Sequence, residues 1–386
     1  MRRVPGLCIF AVSTGAAKVV ILPTIIFTRA SVQAPGSEMK QLKSSNPLTS
    51  NNLNPLVIVL NFPVTLTEYT PLIPNSPKTD PAMSKIIYRD PSVTIFQSAL
   101  FQTNSTVVQT DDTILVVDPA WLPDEVLAIK QYVDSIRGER SLCLIFTHSD
   151  YDHIMGYRAF QADKVFMSKA MADNPRKDEI LEQALAFDEK YYIQRSYPIE
   201  YPVGDFQVYR DGVQYRQGQT KMTFYLTPGH TEDSMMVIIW QLGLCIAGDY
   251  LCNVEFPFIY QSSIEYEKTL EKLPRIHDRN WFTRLIPGHG DPALSINDWL
   301  QRRTESLAYI FALRESIATG VPFEEASLWA RYRFPRLQQK YHTDNVALMT
   351  REFEQGLWVW DPEFSYDIFR ETSIEPTEGE KDVDDE

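Results

Sequence analysis

The order of elements along this chain predicts an α/β sandwich, two β-sheets packed face to face with helices outside. Three observations carry the prediction. Short runs rich in β-branched and aromatic residues alternate with stretches of helical spacing. From Ser92 onward, each half of the chain runs strands, then a polar cluster, then helices. Four apolar strands end in a His or Asp held on a tight turn, which is how a site is built at strand ends.

Val93–Phe101, Thr106–Gln109 and Ile114–Val117 read as strands, with polar turns such as 110–113 between them. Asp118-Pro119 breaks the run. Pro123–Arg137 sets Val126, Ile129, Val133 and Ile136 at helical spacing, with Gly138 as its stop. Leu142–Phe146 is a buried strand, Ile154–Phe160 a short helix and Val165–Met167 a strand. Asp178–Ile193 is helical and crowded with Phe187, Tyr191 and Tyr192. It is either part of a lid or an amphipathic helix packed on the sheet. Strands resume at Phe206–Tyr209, Gln214–Tyr215, Thr223–Leu226, Met235–Trp240 and Leu244–Ala247. A helix at Tyr266–Leu273 and a last strand at Arg284–Ile286 follow. Helices Asn297–Thr319 and Pro322–Tyr332 lie beyond, in a helical stretch that runs to about Gln355 and either caps the sandwich or forms a dimer contact.

Length and charge bound the rest. With 386 residues, 44% hydrophobic and 23% charged, the chain can bury a large core. Its net charge of −14 argues against general nucleic-acid binding, which needs a positive surface. Part of that charge is a C-terminal run, in which Glu375, Glu378, Glu380, Asp382, Asp384, Asp385 and Glu386 face only Lys381. This reads as a solvating, disordered tail over 371–386. Four cysteines make no disulfide framework. Cys143 and Cys245 fall in apolar runs, Cys8 lies in the leader, and Cys252 either packs in its loop or approaches a site. Residues 1–37 carry four bases and no acid, with an apolar run from Val19 to Phe27. A signal or transit peptide, a membrane anchor over Gly6–Thr28 and a plain extension all fit that pattern. The cytoplasm is favoured, with export or organelle targeting if residues 1–34 are such a peptide. Residues 35–82 have the Pro, Ser, Asn and Thr content of a linker. The expected organisation is therefore an extension over 1–82, a main domain over 83–295, a helical extension over 296–370 and the tail.

The chemistry concentrates in few residues. Thr147-His148-Ser149-Asp150-Tyr151-Asp152-His153 packs two imidazoles and two carboxylates behind a buried strand. Thr227-Pro228-Gly229-His230-Thr231, Ala247-Gly248-Asp249 and Pro287-Gly288-His289-Gly290 each follow an apolar strand and present one more such group. The chain has six histidines, and four sit in these settings. His277 and His342 lie outside them and read as ordinary packed residues. His and Asp are metal ligands, and their convergence on one sheet edge points to a metal centre.

In these motifs the sequence resembles the metallo-β-lactamase superfamily over roughly residues 92–292. The turn Thr-Pro-Gly-His-Thr and the late Pro-Gly-His-Gly look most like its glyoxalase II and lactonase-like branch. The resemblance implies a four-layer αββα sandwich of two mixed β-sheets. It implies two divalent metal ions, with zinc expected from the family. One would be held by His148, Asp150 and His230, the other by Asp152, His153 and His289, with Asp249 between them. Asp152 would also accept a hydrogen bond from the nucleophile. Asp118 falls where the family has a buttressing aspartate, although a plain turn role fits it as well.

Asp150 departs from the pattern, which has histidine there. Flavodiiron proteins of the same superfamily carry a carboxylate at this position and bind iron, but residues 293–386 are too short for their flavin domain. Metallohydrolase domains linked to competence-type DNA uptake are similar at this point and differ in their later motifs. If Asp150 binds, the donor set hardens and iron or manganese becomes possible. The centre also becomes formally neutral, counting two divalent ions, three carboxylates and a hydroxide. If the side chain is one methylene too short, the first metal is weak or absent. The implied reaction is attack of metal-bound hydroxide on an ester, thioester or lactone of a small molecule. A phosphodiesterase or nuclease-like reaction and a non-hydrolytic diiron-type protein are the alternatives. Tyr151 and Tyr250 neighbour the ligands and are candidate proton donors. Loop Glu255–Tyr260 and helix 178–193 are candidate substrate contacts.

Overall fold

The structure, a computed structural model, describes residues 85–361. The leader, the linker and the acidic tail lie outside the described residues, as does the part of the predicted helical extension beyond Asp361. Seven strands form the first sheet in chain order: β1 (Lys85–Arg89), β2 (Val93–Gln97), β3 (Asn104–Gln109), β4 (Thr113–Val117), β5 (Ser141–Ile145), β6 (Lys164–Ser168) and β7 (Phe206–Val208). The first four are antiparallel, and β4 to β7 are parallel. The second sheet holds β8 (Val213–Gln217), β9 (Thr220–Leu226), β10 (Met235–Ile239), β11 (Leu244–Ile246) and β12 (Arg284–Ile286), in the spatial order β12-β11-β10-β9-β8. Only β11 and β12 are parallel in it. Both sheets are mixed, as expected.

Alternation along the strands builds three cores. Leu115, Val117, Cys143 and Ile145 point inward and meet Phe224, Val237, Ile239 and Ile246 of the second sheet. Their neighbours Ile114, Val116, Leu142 and Leu144 point outward, against Val126, Ile129 and Val133 of α1 (Pro123–Arg137). On the far side, Met236, Ile238 and Cys245 pack under α5 (Ser263–Asn280), α6 (Ile296–Thr319) and α8 (Pro335–Glu354). Two-residue periodicity thus gives each sheet two apolar faces, and helices cover the outer ones. The helices after β12 cap the sandwich, with α7 (Glu325–Arg331) between α6 and α8. No helix among the described residues is long and apolar enough to cross a membrane.

Several boundaries differ from the sequence expectation. The first predicted strand ends at Gln97, because Phe101 and Gln102 take positive φ in the turn to β3. The short helix predicted at Ile154–Phe160 starts earlier, as α2 (Tyr151–Ile154), followed by a 3-10 turn at Tyr157–Ala159. Asp152 and His153 are therefore helical. A short α3 (Lys169–Ala172) precedes α4 (Lys177–Tyr191), and Ser168 caps it by accepting from the Met171 amide. Helix α5 is longer than predicted at both ends. The Ser262 hydroxyl caps its start, and it runs through Pro274 because Leu270, Leu273 and Ile276 keep one face buried.

Candidate metal centre

The loops that follow β5, β9, β11 and β12 lie at one edge of the sandwich. Strand β5 releases residues 146–150, and Asp150 is the last residue before α2. The loop after β11 brings Asp249 beside the 287–289 turn after the parallel strand β12, and the Gly288 amide donates to the Gly248 carbonyl. Glycine is required at both Pro-Gly-His turns. A Cβ on Gly288 would stand 2.0 Å from Asp249 Oδ1. Gly229 has φ +132°, and its Cβ would stand 2.3 Å from the Tyr266 backbone.

Seven predicted side chains meet here. His148, Asp150, His230 and Asp249 form one group and Asp152, His153 and His289 another. His230 Nε2 lies 3.3 Å from Asp150 Oδ2 and 3.3 Å from Asp249 Oδ2. His148 Nε2 lies 3.7 and 3.6 Å from the same two oxygens. In the second group His153 Nε2 is 3.4 Å from Asp152 Oδ2 and 3.3 Å from Asp249 Oδ1. His289 Nε2 is 3.6 Å from Asp152 Oδ2 and 3.1 Å from Asp249 Oδ2. Donors about 2.0–2.1 Å from a tetrahedral ion stand about 3.4 Å apart, so these spacings suit a shared cation. Asp150 reaches: its carboxylate is as close to His230 as Asp249 is. Asp249 faces both groups.

Every ring is anchored from behind. His230 Nδ1 donates to the Phe258 carbonyl (2.7 Å) and His289 Nδ1 to the Phe101 carbonyl (3.0 Å). His153 Nδ1 donates to Asp118 Oδ2 (3.1 Å). Asp118 also takes the Thr147 hydroxyl (2.6 Å) and amide (2.8 Å). With its proton given to Asp118, Thr147 Oγ1 accepts from His148 Nδ1 (2.9 Å). All four rings therefore carry their proton on Nδ1 and aim Nε2 inward, the tautomer a metal ligand needs. Asp118 is a buttress and also a turn residue, with φ +49°.

Three inward atoms are buried with no hydrogen-bond partner: His148 Nε2, His230 Nε2 and Asp249 Oδ1. Such an orphan costs about 1–3 kcal/mol. Burial pulls His153 and His230 toward neutrality, but the surrounding carboxylates outweigh it and hold both well above the ordinary histidine range. The same balance raises His289 to about 9. Burial opposes ionisation of Asp249, yet the charges of His289, His153 and His148 hold its carboxyl well below the usual range. His148 runs the other way, lowered by burial and by His153, but a pocket that favours positive charge on three of its four rings would also favour a cation among them. The donor set, the spacings and the orphaned atoms fit divalent ions.

The centre floors a cavity of about 460 Å³. Arg176, with Glu179, Ile180 and Gln183 of α4, lines one side, and Leu337, Lys340 and Tyr341 of α8 the other. Helix α4 also packs Ile180 and Ala184 into the core, which is the amphipathic-helix reading of that stretch. Tyr151 and Tyr260 face the cavity. Tyr250 does not: it is fully buried, its hydroxyl donates to the Thr227 or Pro228 carbonyl, and it accepts from the His230 amide. That removes it as a proton donor. His277 sits among Trp281, Phe282 and Trp299, and His342 lies against Tyr309, both away from the centre. Cys143 and Cys245 are buried in the sheets, and burial raises the Cys252 thiol well above its ordinary range.

Sequence reasoning did not single out three polar residues at the centre. Glu255 groups with Asp249 and His289, and burial, only partly offset by His289, lifts its carboxyl to about 7. An acid flanked by Val254 and Phe256 soon after Asp249 was the available signal. Thr103 donates to Asp152 Oδ2 (3.2 Å). Asp233 accepts from the Thr231 hydroxyl (2.8 Å) and Asn174 (3.0 Å), bracing the His230 loop.

Comparisons with known proteins agree with this geometry. The sequence profile of the metallo-beta-lactamase superfamily matches residues 99–289, which contain all seven converging side chains. A metallo-beta-lactamase type 2 from Bacillus sp. (strain 170) is 24% identical over 217 residues, covering 54% of this chain and 74% of that protein. The stereoselective inverting sec-alkylsulfatase Pisa1 from Pseudomonas sp. superposes with a TM-score of 0.50 at 13% identity, covering 61% of this chain. The match spans only 43% of that sulfatase. A metallo-beta-lactamase from Pontibacter korlensis gives a TM-score of 0.43 at 14% identity, covering 58% of this chain and 98% of that one. Layer order, strand-end motifs and profile lead to one conclusion: the chain belongs to the metallo-beta-lactamase superfamily.

Proposed function

We propose that this protein is a metal-dependent hydrolase with a binuclear centre, acting on an ester, thioester or lactone of a small molecule. The observation that carries the reading is the set of inward-aimed, buried and unpartnered atoms: His148 Nε2, His230 Nε2 and Asp249 Oδ1. His148, Asp150 and His230 would hold one ion, Asp152, His153 and His289 the other, with Asp249 shared. Divalent ions held by these residues would supply Lewis-acid chemistry, activating water at neutral pH and offsetting charge that develops on the substrate oxygen. Asp152, kept in place by Thr103, would accept a hydrogen bond from the attacking water. Phe101, Tyr151, Phe258, Tyr260 and Tyr341 line the cavity and suit a substrate with an apolar portion.

Each ion would see two nitrogens and two carboxylates. Zinc is the family's expectation, and the harder donor set moves preference toward iron or manganese. Elemental analysis of the purified chain, run beside a substrate panel, tests the reading. The panel holds a lactone, a thioester, an aryl ester and bis-nitrophenyl phosphate. The activities named for the relatives add a β-lactam and a secondary alkyl sulfate. Two ions per chain with turnover of a carbonyl ester supports it. Two irons with visible absorbance and no turnover anywhere would replace it with a non-hydrolytic diiron protein.

A further inference from the structure

Helix α8 follows the profile-matched span, yet it reaches the centre by an indirect route. Gln338, Asn345 and Glu352 stand seven residues apart, two helical turns each, and so share one stripe. All three are at most 5% exposed, unusual for side chains of this kind. They bond one segment, residues 253–263. Gln338 Nε2 donates to the Val254 carbonyl (3.2 Å). Asn345 Nδ2 donates to the Pro257 carbonyl (2.7 Å) and its Oδ1 accepts from the Ile259 amide (3.0 Å). Glu352 Oε1 accepts from the Ser263 amide (3.0 Å) and the Ser262 hydroxyl (2.9 Å).

That strap in turn grips the loop carrying His230. The Phe258 carbonyl fixes His230 Nδ1, and the Tyr260 amide donates to the His230 carbonyl (3.0 Å). The Gln261 and Ser262 amides reach the Gly229 carbonyl. Tyr341 of α8 stacks on the Phe258 ring, with centroids 3.9 Å apart. A helix that only covered a sheet would present an apolar face here. This one uses buried polar groups; Gln338 Oε1 finds no partner, but the paired Asn345 and Glu352 fix a register.

We infer that α8 is a positioning element for one side of the centre, with Asn345 as its key residue: it sets the strap, and the strap aims the His230 ring. The inference rests on the binuclear reading above. Asn345 touches no reacting atom, and its strap holds the His230 ring directly while meeting the other site only through Glu255, so its effect falls mainly on the ion that His230 would hold.

The test is an equilibrium titration of the metal-free full-length chain with zinc ion alone, comparing wild type with Asn345→Leu. The expected result is a loss of about 10–100-fold in affinity for one of two ions, with the other little changed. In the metal-free variant, amide hydrogen exchange at 258–260 should quicken while the strands of the first sheet stay protected. Two ions at wild-type affinity, or equal weakening of both, would overturn the inference, since a general loss of structure spares neither. If Asn345→Leu does not fold, Asn345→Asp, which keeps the acceptor for Ile259 and loses the donor to Pro257, carries the same comparison. A wild-type chain that binds no ion counts against the hydrolase reading. A wild type and a folded variant that bind alike count against this inference alone.

Discussion

Three of the four rings at the centre lean on the first sheet, and the fourth leans on the helices after the second. His153 and, through Thr147, His148 share one support, Asp118 at the end of β4. His289 rests on the turn between β2 and β3 through the Phe101 carbonyl. His230 rests on the strap 253–263 and so on α8. The first support is a buried carboxylate at the C-terminal end of a central strand. The second is a loop fixed by polar side chains from a helix late in the chain. The difference teaches that a change at Asp118 should reach both proposed ions, whereas a change in the strap should reach mainly the one beside His230.

The largest effect is expected where the two sides join. Asp249→Ala removes the one carboxylate that faces both groups and should abolish binding of both ions. Hydrolysis should fall by more than about 10³-fold in kcat/KM, beyond what loss of a single oxyanion donor costs. Asp118→Ala comes next. It unsupports His153 directly and His148 through Thr147, so both ions should weaken by about 10–100-fold in a metal titration. Weakening of one ion alone would show that the Thr147 link is idle.

Asp150→His should act on selectivity more than on affinity. With a third imidazole, zinc retention against iron or manganese should rise about tenfold, near 1.4 kcal/mol, as read by competitive loading. Hydrolysis should rise with it, because the centre gains a positive charge. No change in either quantity would mean that Asp150 does not bind. Gly229→Ala has the smallest effect on metal binding. Its Cβ meets the Tyr266 backbone and should cost about 1–3 kcal/mol of stability in denaturant unfolding, with both ions still bound by the folded fraction.

Much of this was legible in the sequence. Helix α1 ends where its apolar spacing and Gly138 place it, and the face-to-face sheets follow from the alternation of residues such as Leu115, Val116 and Val117. The converging residues stood out because His and Asp at strand ends serve few structural purposes. Their supports were harder to see. Phe101 and Phe258 hold rings through backbone carbonyls, which any residue offers, so no side-chain type marks them. Glu255 was hidden in a loop read for its aromatics. The stripe Gln338, Asn345 and Glu352 has a helical period but the wrong polarity for a core, and its partners are backbone groups about 80–90 residues earlier in the chain. Distances of that kind come from the fold and leave no local pattern.

In the proposed centre two groups of inward-facing ligands share Asp249 around a pair of ions. Calorimetric titration of the metal-free chain with a divalent ion tests it most directly. Two ions per chain are expected, and none for Asp249→Ala at matched concentrations. One ion in the wild type, or two still bound by a folded Asp249→Ala, would contradict it.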